Sequence, residues 1–191
     1  KKILLLMASC CFIGHGSMAA GLQALPIEAS YIIPAEVEGM SSSSLLLNGD
    51  WQFRFAPQGK WNTVQVPGEL AMQGYAIEHD TPYLYRKSFT LPADYKGKRV
   101  ILRFDGVYSH AVLSVNGKQV REHHGGFTRW ETDVTEFVRP GKKNEIQLEI
   151  TDRIDDISYA SGYAHHPIGG ILRDVTVFAL PETCFYDFAA E

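Results

Sequence analysis

The chain reads as all-β, an antiparallel β-sandwich of the jelly-roll kind, and three observations say so. Short segments alternate apolar with polar residues at a period of two; proline, glycine and Asn-Gly turn signals separate them; and no stretch carries the apolar period of an amphipathic helix. A parallel α/β sheet needs crossover helices between its strands, so their absence from the pattern disfavours that class.

Taken in order, the folded part is expected to begin near Leu45, after residues 20–44, which lack periodicity, end in serines and read as an extended arm. Trp51 to Phe55 alternates aromatic with polar residues as a half-buried strand does, and Trp61 to Val66 makes a second strand, stopped by Pro67-Gly68. Tyr83 to Leu91 is a third, stopped by Pro92, and Arg99 to Phe104 a fourth, after the turn Asp94-Tyr95-Lys96-Gly97. The plainest local signal is a hairpin: Ala111 to Val115 and Gln119 to Glu122 flank Asn116-Gly117, the pair that most readily adopts the positive φ angles of a type I′ turn. Thr132 to Val138 ends at Pro140-Gly141. Glu145 to Ile150 and Val175 to Leu180 then complete about nine strands, a number that suits a sandwich. Residues 182–191 open another segment, Phe185-Tyr186-Asp187-Phe188.

With 191 residues the chain has room for one domain, which usually takes about 100–200, and not for a multidomain enzyme. Eighteen Lys and Arg against 22 Asp and Glu, with no basic stripe, argue against nucleic acid as a partner. Lys1-Lys2, an apolar run from Ile3 to Ile13 and the small residues Ser17 to Ala20 read as a secretory signal peptide over residues 1–19. The run is too short for the roughly 20 residues of a transmembrane helix, so the expectation is an exported protein, periplasmic or extracellular. Met7-Ala8-Ser9-Cys10 is an imperfect lipobox, which leaves a lipid anchor at Cys10 as one reading and an incidental leader cysteine as the other. Cys184 is then the lone cysteine of the mature part, so neither an intrachain disulfide nor a cysteine-based metal site is expected.

Alternation fails in three loops: Leu70 to Pro82, His123 to Trp130 and Asp152 to Gly170. His79-Asp80, His123-His124 and His165-His166 offer metal donors. Adjacent histidines on extended chain point to opposite sides, however, and no helix-borne spacing such as HExxH occurs, so no metal is expected. Ser109, Ser158 and Ser161 lack a Gly-x-Ser-x-Gly elbow. Asp152, Asp155 and Asp156 form a cluster that either caps backbone amides or faces a cation or a polyhydroxylated ligand. Tyr75, Tyr83, Phe127, Trp130, Tyr159 and Tyr163 interleave with these polar groups; they suit stacking on sugar rings, and equally the closing of a sandwich end.

Seven motifs in order carry a resemblance. They are Leu47-Asn48-Gly49-Asp50-Trp51-Gln52-Phe53; Val66-Pro67-Gly68-Glu69 with Met72-Gln73-Gly74-Tyr75; Tyr85-Arg86-Lys87-Ser88-Phe89-Thr90-Leu91-Pro92; Leu102-Arg103-Phe104-Asp105-Gly106-Val107; Val115-Asn116-Gly117; His124-Gly125-Gly126-Phe127-Thr128; and Gly169-Gly170-Ile171-Leu172-Arg173-Asp174-Val175. Over residues 45–181 the chain resembles the N-terminal sugar-binding domain of glycoside hydrolase family 2, the β-galactosidases, β-glucuronidases and β-mannosidases. That resemblance implies a jelly roll packed against an immunoglobulin-like domain, whose first strand residues 182–191 would begin, and then a (β/α)8 barrel. Two barrel glutamates carry out the family's retaining hydrolysis. Neither has a counterpart here, so no catalytic residue is expected and the chain alone should be inactive.

The resemblance also implies a sugar subsite. Asp156-Ile157-Ser158-Tyr159 matches the loop in which a β-galactosidase aspartate meets galactose hydroxyls and a sodium ion, with Ile157 in place of the family's glycine. Asp156 and Tyr159 are therefore candidate substrate-binding residues, with a sodium ion near Asp156 in a full-length parent and no other cofactor. Farther along, Ala164, His165, His166 and Pro167 replace the family's acidic and Trp positions. His79 and Asp80 lie where the family has an asparagine and are expected to face the sugar. Arg173 and Asp174 are read as structural, tying the last strand to a neighbouring domain. Two other readings stand beside an N-terminal carbohydrate-binding domain of a β-glycosidase: a free-standing carbohydrate-binding module and a structural interaction domain.

Overall fold

A computed structural model describes residues 44–153 and 168–181. Twelve strands follow one another: β1 (Ser44–Leu46), β2 (Gly49–Phe55), β3 (Asn62–Val66), β4 (Tyr83–Thr90), β5 (Arg99–Phe104), β6 (Val107–Tyr108), β7 (His110–Val115), β8 (Lys118–His124), β9 (Trp130–Asp133), β10 (Lys143–Thr151), β11 (Gly170–Ile171) and β12 (Val175–Leu180). Among the described residues no α-helix occurs; single 3-10 turns stand at Ala71–Gln73 and Ala93–Tyr95.

The strands form an antiparallel β-sandwich. One sheet runs β1-β12-β5-β9, the other β3-β2-β4-β10-β7-β8, and β11 pairs with β6 at one end. Every ladder is antiparallel; the short turns account for β2–β3 and β7–β8, and the remaining ladders join strands distant in the chain, as crossing connections in a sandwich do. The period-two alternation sends Trp51, Phe53, Tyr85, Leu113 and Leu148 of the larger sheet, and Val100, Leu102, Phe104, Val175 and Val177 of the smaller, into one shared core. Phe53 is its aromatic hub, with ring centroids at 5.0 Å from Phe55, 4.9 Å from Tyr75, 5.9 Å from Tyr83 and 5.7 Å from Tyr85.

The expected hairpin is β7–β8, and Asn116 and Gly117 both take positive φ, 50° and 80°. Asn116 does more than turn. Its amide nitrogen donates to Phe137 O at 2.7 Å and to Asn144 Oδ1 at 2.9 Å, while its oxygen accepts from Glu145 N at 3.0 Å. Buried Asn144 in turn accepts from Arg139 N at 2.8 Å and donates to the carbonyls of Arg139 and Lys142 at 3.1 and 2.9 Å. Asn144→Ala removes these four bonds at once and leaves the Arg139 N–H and the Arg139 and Lys142 carbonyls without them. With about 0.5–1.5 kcal/mol net per bond, it is expected to lower the unfolding free energy by about 2 kcal/mol, read as a lower urea midpoint at unchanged m-value.

Four elements differ from the sequence reading. The strand expected over Thr132 to Val138 instead runs Trp130–Asp133, because Asp133 Oδ1 accepts Thr135 N at 3.0 Å and turns the chain. Strands β1, β6 and β11, two or three residues each, were not among the expected ones; segments that short carry almost no period. Asp174, expected to reach another domain, accepts Asn48 Nδ2 at 2.8 Å, and Asn48 Oδ1 accepts Val175 N at 3.1 Å. The pair locks the β1–β2 turn to the start of β12 within this fold.

Candidate functional site

Described parts of all three irregular loops meet at one end of the sandwich, where β4 begins, β10 ends and β11 begins. The segment 67–82 is pinned there by its backbone: Gly68 N donates to Ile171 O and Leu70 N to Gly169 O, both at 2.9 Å. Gln73 secures it from the other side, accepting Gln65 N at 2.7 Å and donating to Gln65 O at 3.1 Å. Gly170 has φ +124°, and a Cβ there would stand 2.7 Å from Gly68 O; a Cβ on Gly169 would stand 2.8 Å from both Ile77 Cγ1 and the Tyr83 hydroxyl. The Gly-Gly pair thus lets three chain segments touch, the use glycine serves at a close backbone approach.

Tyr83, fully buried, ties the rim together: its hydroxyl accepts Gly170 N at 2.9 Å and donates to Tyr108 O at 3.1 Å. Burial and the neighbouring Tyr85 push its pKa well above the ordinary tyrosine value, so it remains a donor at any physiological pH. Ser109 Oγ accepts Arg153 N at 2.9 Å and donates to Thr151 O at 3.3 Å, fixing the backbone on both sides of Asp152.

Asp152 is the charged centre of this rim. It is completely buried, its Oδ2 lies 2.7 Å from His79 Nδ1, and its Oδ1 meets no hydrogen-bond donor among the described residues. Burial raises its pKa, His79 pulls it back down, and Asp80 raises it again. Asp80 takes φ 56°, which aspartate tolerates, and its N–H donates to Asp152 O at 3.0 Å. His79 and Asp80, both expected at the sugar, are therefore brought together with Asp152. The sequence had offered Asp152 only as one member of an acidic cluster. Its signal was its place immediately after an alternating strand, where a carboxylate lands on the sandwich rim.

The Gly-Gly turn after β8 closes the same end. Gly125 N donates to Ser109 O at 2.9 Å, and Gly126 lies flat against Tyr108, so near that a Cβ would meet its ring at 2.1 Å. Phe127 stays 56% exposed, 5.3 Å from Tyr108, and offers an apolar face at the rim. The other described aromatics singled out for sugar stacking are core: Tyr75 packs on Phe53, Tyr83 is enclosed, and Trp130 stacks on Phe104 at 4.5 Å. Asp156, Tyr159 and Tyr163, and with them the sodium position that resemblance implies, lie outside the described residues. The arrangement supplies acceptors, donors and an apolar face, the means of holding a polyhydroxylated ring.

The family model for the glycosyl hydrolase 2 galactose-binding domain-like fold matches residues 51–169. Among curated relatives, a β-glucuronidase of Bacteroides fragilis is 34% identical over 155 residues, covering 73% of this chain and 21% of that protein. A β-galactosidase of Thermoanaerobacter pseudethanolicus is 32% identical over 148 residues, covering 74% of this chain and 20% of that protein. The chain thus spans about a fifth of the length of the curated relatives it matches. Among solved structures, a Ruminococcus gnavus β-glucuronidase shares the fold with a TM-score of 0.66 at 22% identity, over 76% of this chain and 29% of that one. The sequence motifs, the sandwich and these matches agree: the chain belongs to glycoside hydrolase family 2, as the galactose-binding-like domain that its enzymes carry at the N-terminus.

Proposed function

We propose that this chain serves as the N-terminal carbohydrate-binding domain of an exported β-glycosidase that hydrolyses O-glycosidic bonds. The observation that supports this reading is the match of one compact sandwich to about a fifth of family 2 enzymes. Catalysis in such a parent belongs to two glutamates of its barrel. The domain's contribution is to support that barrel, with an immunoglobulin-like domain between them, and to border the sugar subsite with His79 and Asp80, joined by Asp156 and Tyr159. Asp152 holds His79 in place, so the imidazole and the Asp80 carboxylate reach a sugar hydroxyl at small conformational cost. The leader over residues 1–19 directs the protein to the periplasm or beyond. No helix among the described residues is long and apolar enough to cross a membrane.

Two measurements test the reading. Sequencing the gene past codon 191 is expected to show an open frame that continues into an immunoglobulin-like domain and a barrel with paired glutamates. A stop codon directly after Glu191, combined with millimolar or tighter sugar binding in calorimetry, would make it a free-standing binding module instead. The 191-residue chain is also expected to leave chromogenic β-D-glucuronides and β-D-galactosides intact; turnover that survives Asp156→Ala would sink the proposal.

A further inference from the structure

We propose that His110, Glu122 and His124 form a binding site for a zinc ion on the outer face of the six-stranded sheet. His110 and His124 are direct cross-strand partners on β7 and β8, and Glu122 stands two residues from His124 on the same strand. A period of two therefore sends all three side chains to one side. Ala111, Leu113 and Val115, the alternate residues of β7, point into the core, which assigns the trio to the opposite, outer face.

The donor atoms are already gathered. Glu122 Oε1 lies 2.6 Å from His110 Nε2 and 3.4 Å from His124 Nε2, the two rings are 4.4 Å apart, and all three donor atoms fall within 4.8 Å of one another. Ligands around a tetrahedral zinc, each at about 2.0–2.2 Å from the metal, stand about 3.4 Å from each other. Reaching that spacing takes a small outward turn of the half-exposed Glu122 and a rotation of the half-exposed His124 ring toward His110. His110 is nearly enclosed and does not have to be ordered on binding, while the hairpin holds both backbones in register. Two imidazoles with one carboxylate favour zinc and its late transition-metal neighbours over magnesium or calcium, which prefer all-oxygen sets.

The surroundings do not oppose a cation. His123 points the other way and stacks on Trp130 at 4.8 Å, and Arg121 also lies over Trp130, so the nearby positive charge is on the far face. The positions that flank the trio across the ladders are Val112, Glu149 and Thr151, none of them basic. Three protein ligands leave the fourth place to water or to a donor from another molecule.

Calorimetric titration of the untagged 191-residue chain, stripped of metal, with zinc chloride tests the site. One equivalent is expected to bind with a micromolar dissociation constant, and magnesium chloride is expected to give no heat. His124→Ala and Glu122→Gln should each weaken zinc binding by about tenfold or more, since even changes outside the ligand set cost about 10–100-fold. Both side chains are half-exposed, so the metal-free melting temperature should fall by no more than a few degrees as their exposed pairing with His110 is lost. Replacing His165 and His166 with Ala should leave the titration unchanged. Absence of zinc binding, equal affinity in both site variants, or loss of binding only in the His165 and His166 variant would overturn the proposal.

Discussion

Phe53→Ala is expected to lower the unfolding free energy by about 5 kcal/mol, the upper end for deleting a buried aromatic ring. Phe53 is fully buried and sits opposite Tyr85 on the neighbouring strand, with four aromatic rings around it. Each edge or tilted aromatic pair adds about 0.5–1.5 kcal/mol beyond its buried area, so the loss exceeds that of an isolated phenylalanine. Collapse into the cavity does not recover much, because Tyr83 would have to leave its bonds with Gly170 N and Tyr108 O. In a melt followed by circular dichroism, the midpoint should fall by about 15 °C. Phe53→Leu, which keeps most of the volume, should cost under about 2 kcal/mol, and Phe127→Ala at the exposed rim about 0.5 kcal/mol or less. A Phe53→Ala midpoint within a few degrees of the parent would show that Phe53 is not the hub.

The core was legible because each inward residue repeats with its strand's period. Trp51-Gln52-Phe53-Arg54-Phe55 announces both the strand and its buried face, and Asn116-Gly117 announces a turn whose φ values only such a pair accepts comfortably. What was not legible depends on partners distant in sequence. The pairing of Tyr108 with Gly170 makes two-residue strands that no local pattern marks. The glycines at 169 and 170 are visible as a motif, yet their reason, the carbonyl of Gly68 and the hydroxyl of Tyr83, belongs to other loops. His79 was singled out, but the buried carboxylate beside it was not, because an aspartate next to Asp155 and Asp156 reads as one of a solvated cluster until the fold encloses it. The His110–Glu122–His124 trio is hidden for a similar reason: His110 lies across a hairpin from the other two, and of the adjacent pair His123-His124 only His124 shares its face.

His79→Ala should destabilise the fold by about 1–2 kcal/mol at pH 7 and by almost nothing near pH 4, because the enclosed Asp152 loses its ion-pair partner only while it is ionised, and solvent partly screens the half-exposed imidazole. Asp152 already has its pKa raised above the ordinary value near 3.8 by burial, with His79 as the group that lowers it. Removing the imidazole raises that pKa further in the folded state and leaves the unfolded chain unchanged. Between the two values the native state then holds more protons than the unfolded one, so stability falls as pH rises through that window and is unaffected below it. Asp152→Asn removes the titrating charge. In that background, the effect of His79→Ala should therefore no longer depend on pH over the same window and should amount to less than about 1 kcal/mol, which a double-mutant cycle reads directly. Urea titrations of the parent, both single variants and the double variant at pH 4, 5, 6 and 7 would show the divergence. A His79→Ala deficit that is the same at pH 4 and pH 7, or that persists undiminished in the Asp152→Asn background, would mean that His79 contributes packing and not charge. In that case, the rim would have no electrostatic reason to hold His79 beside Asp152.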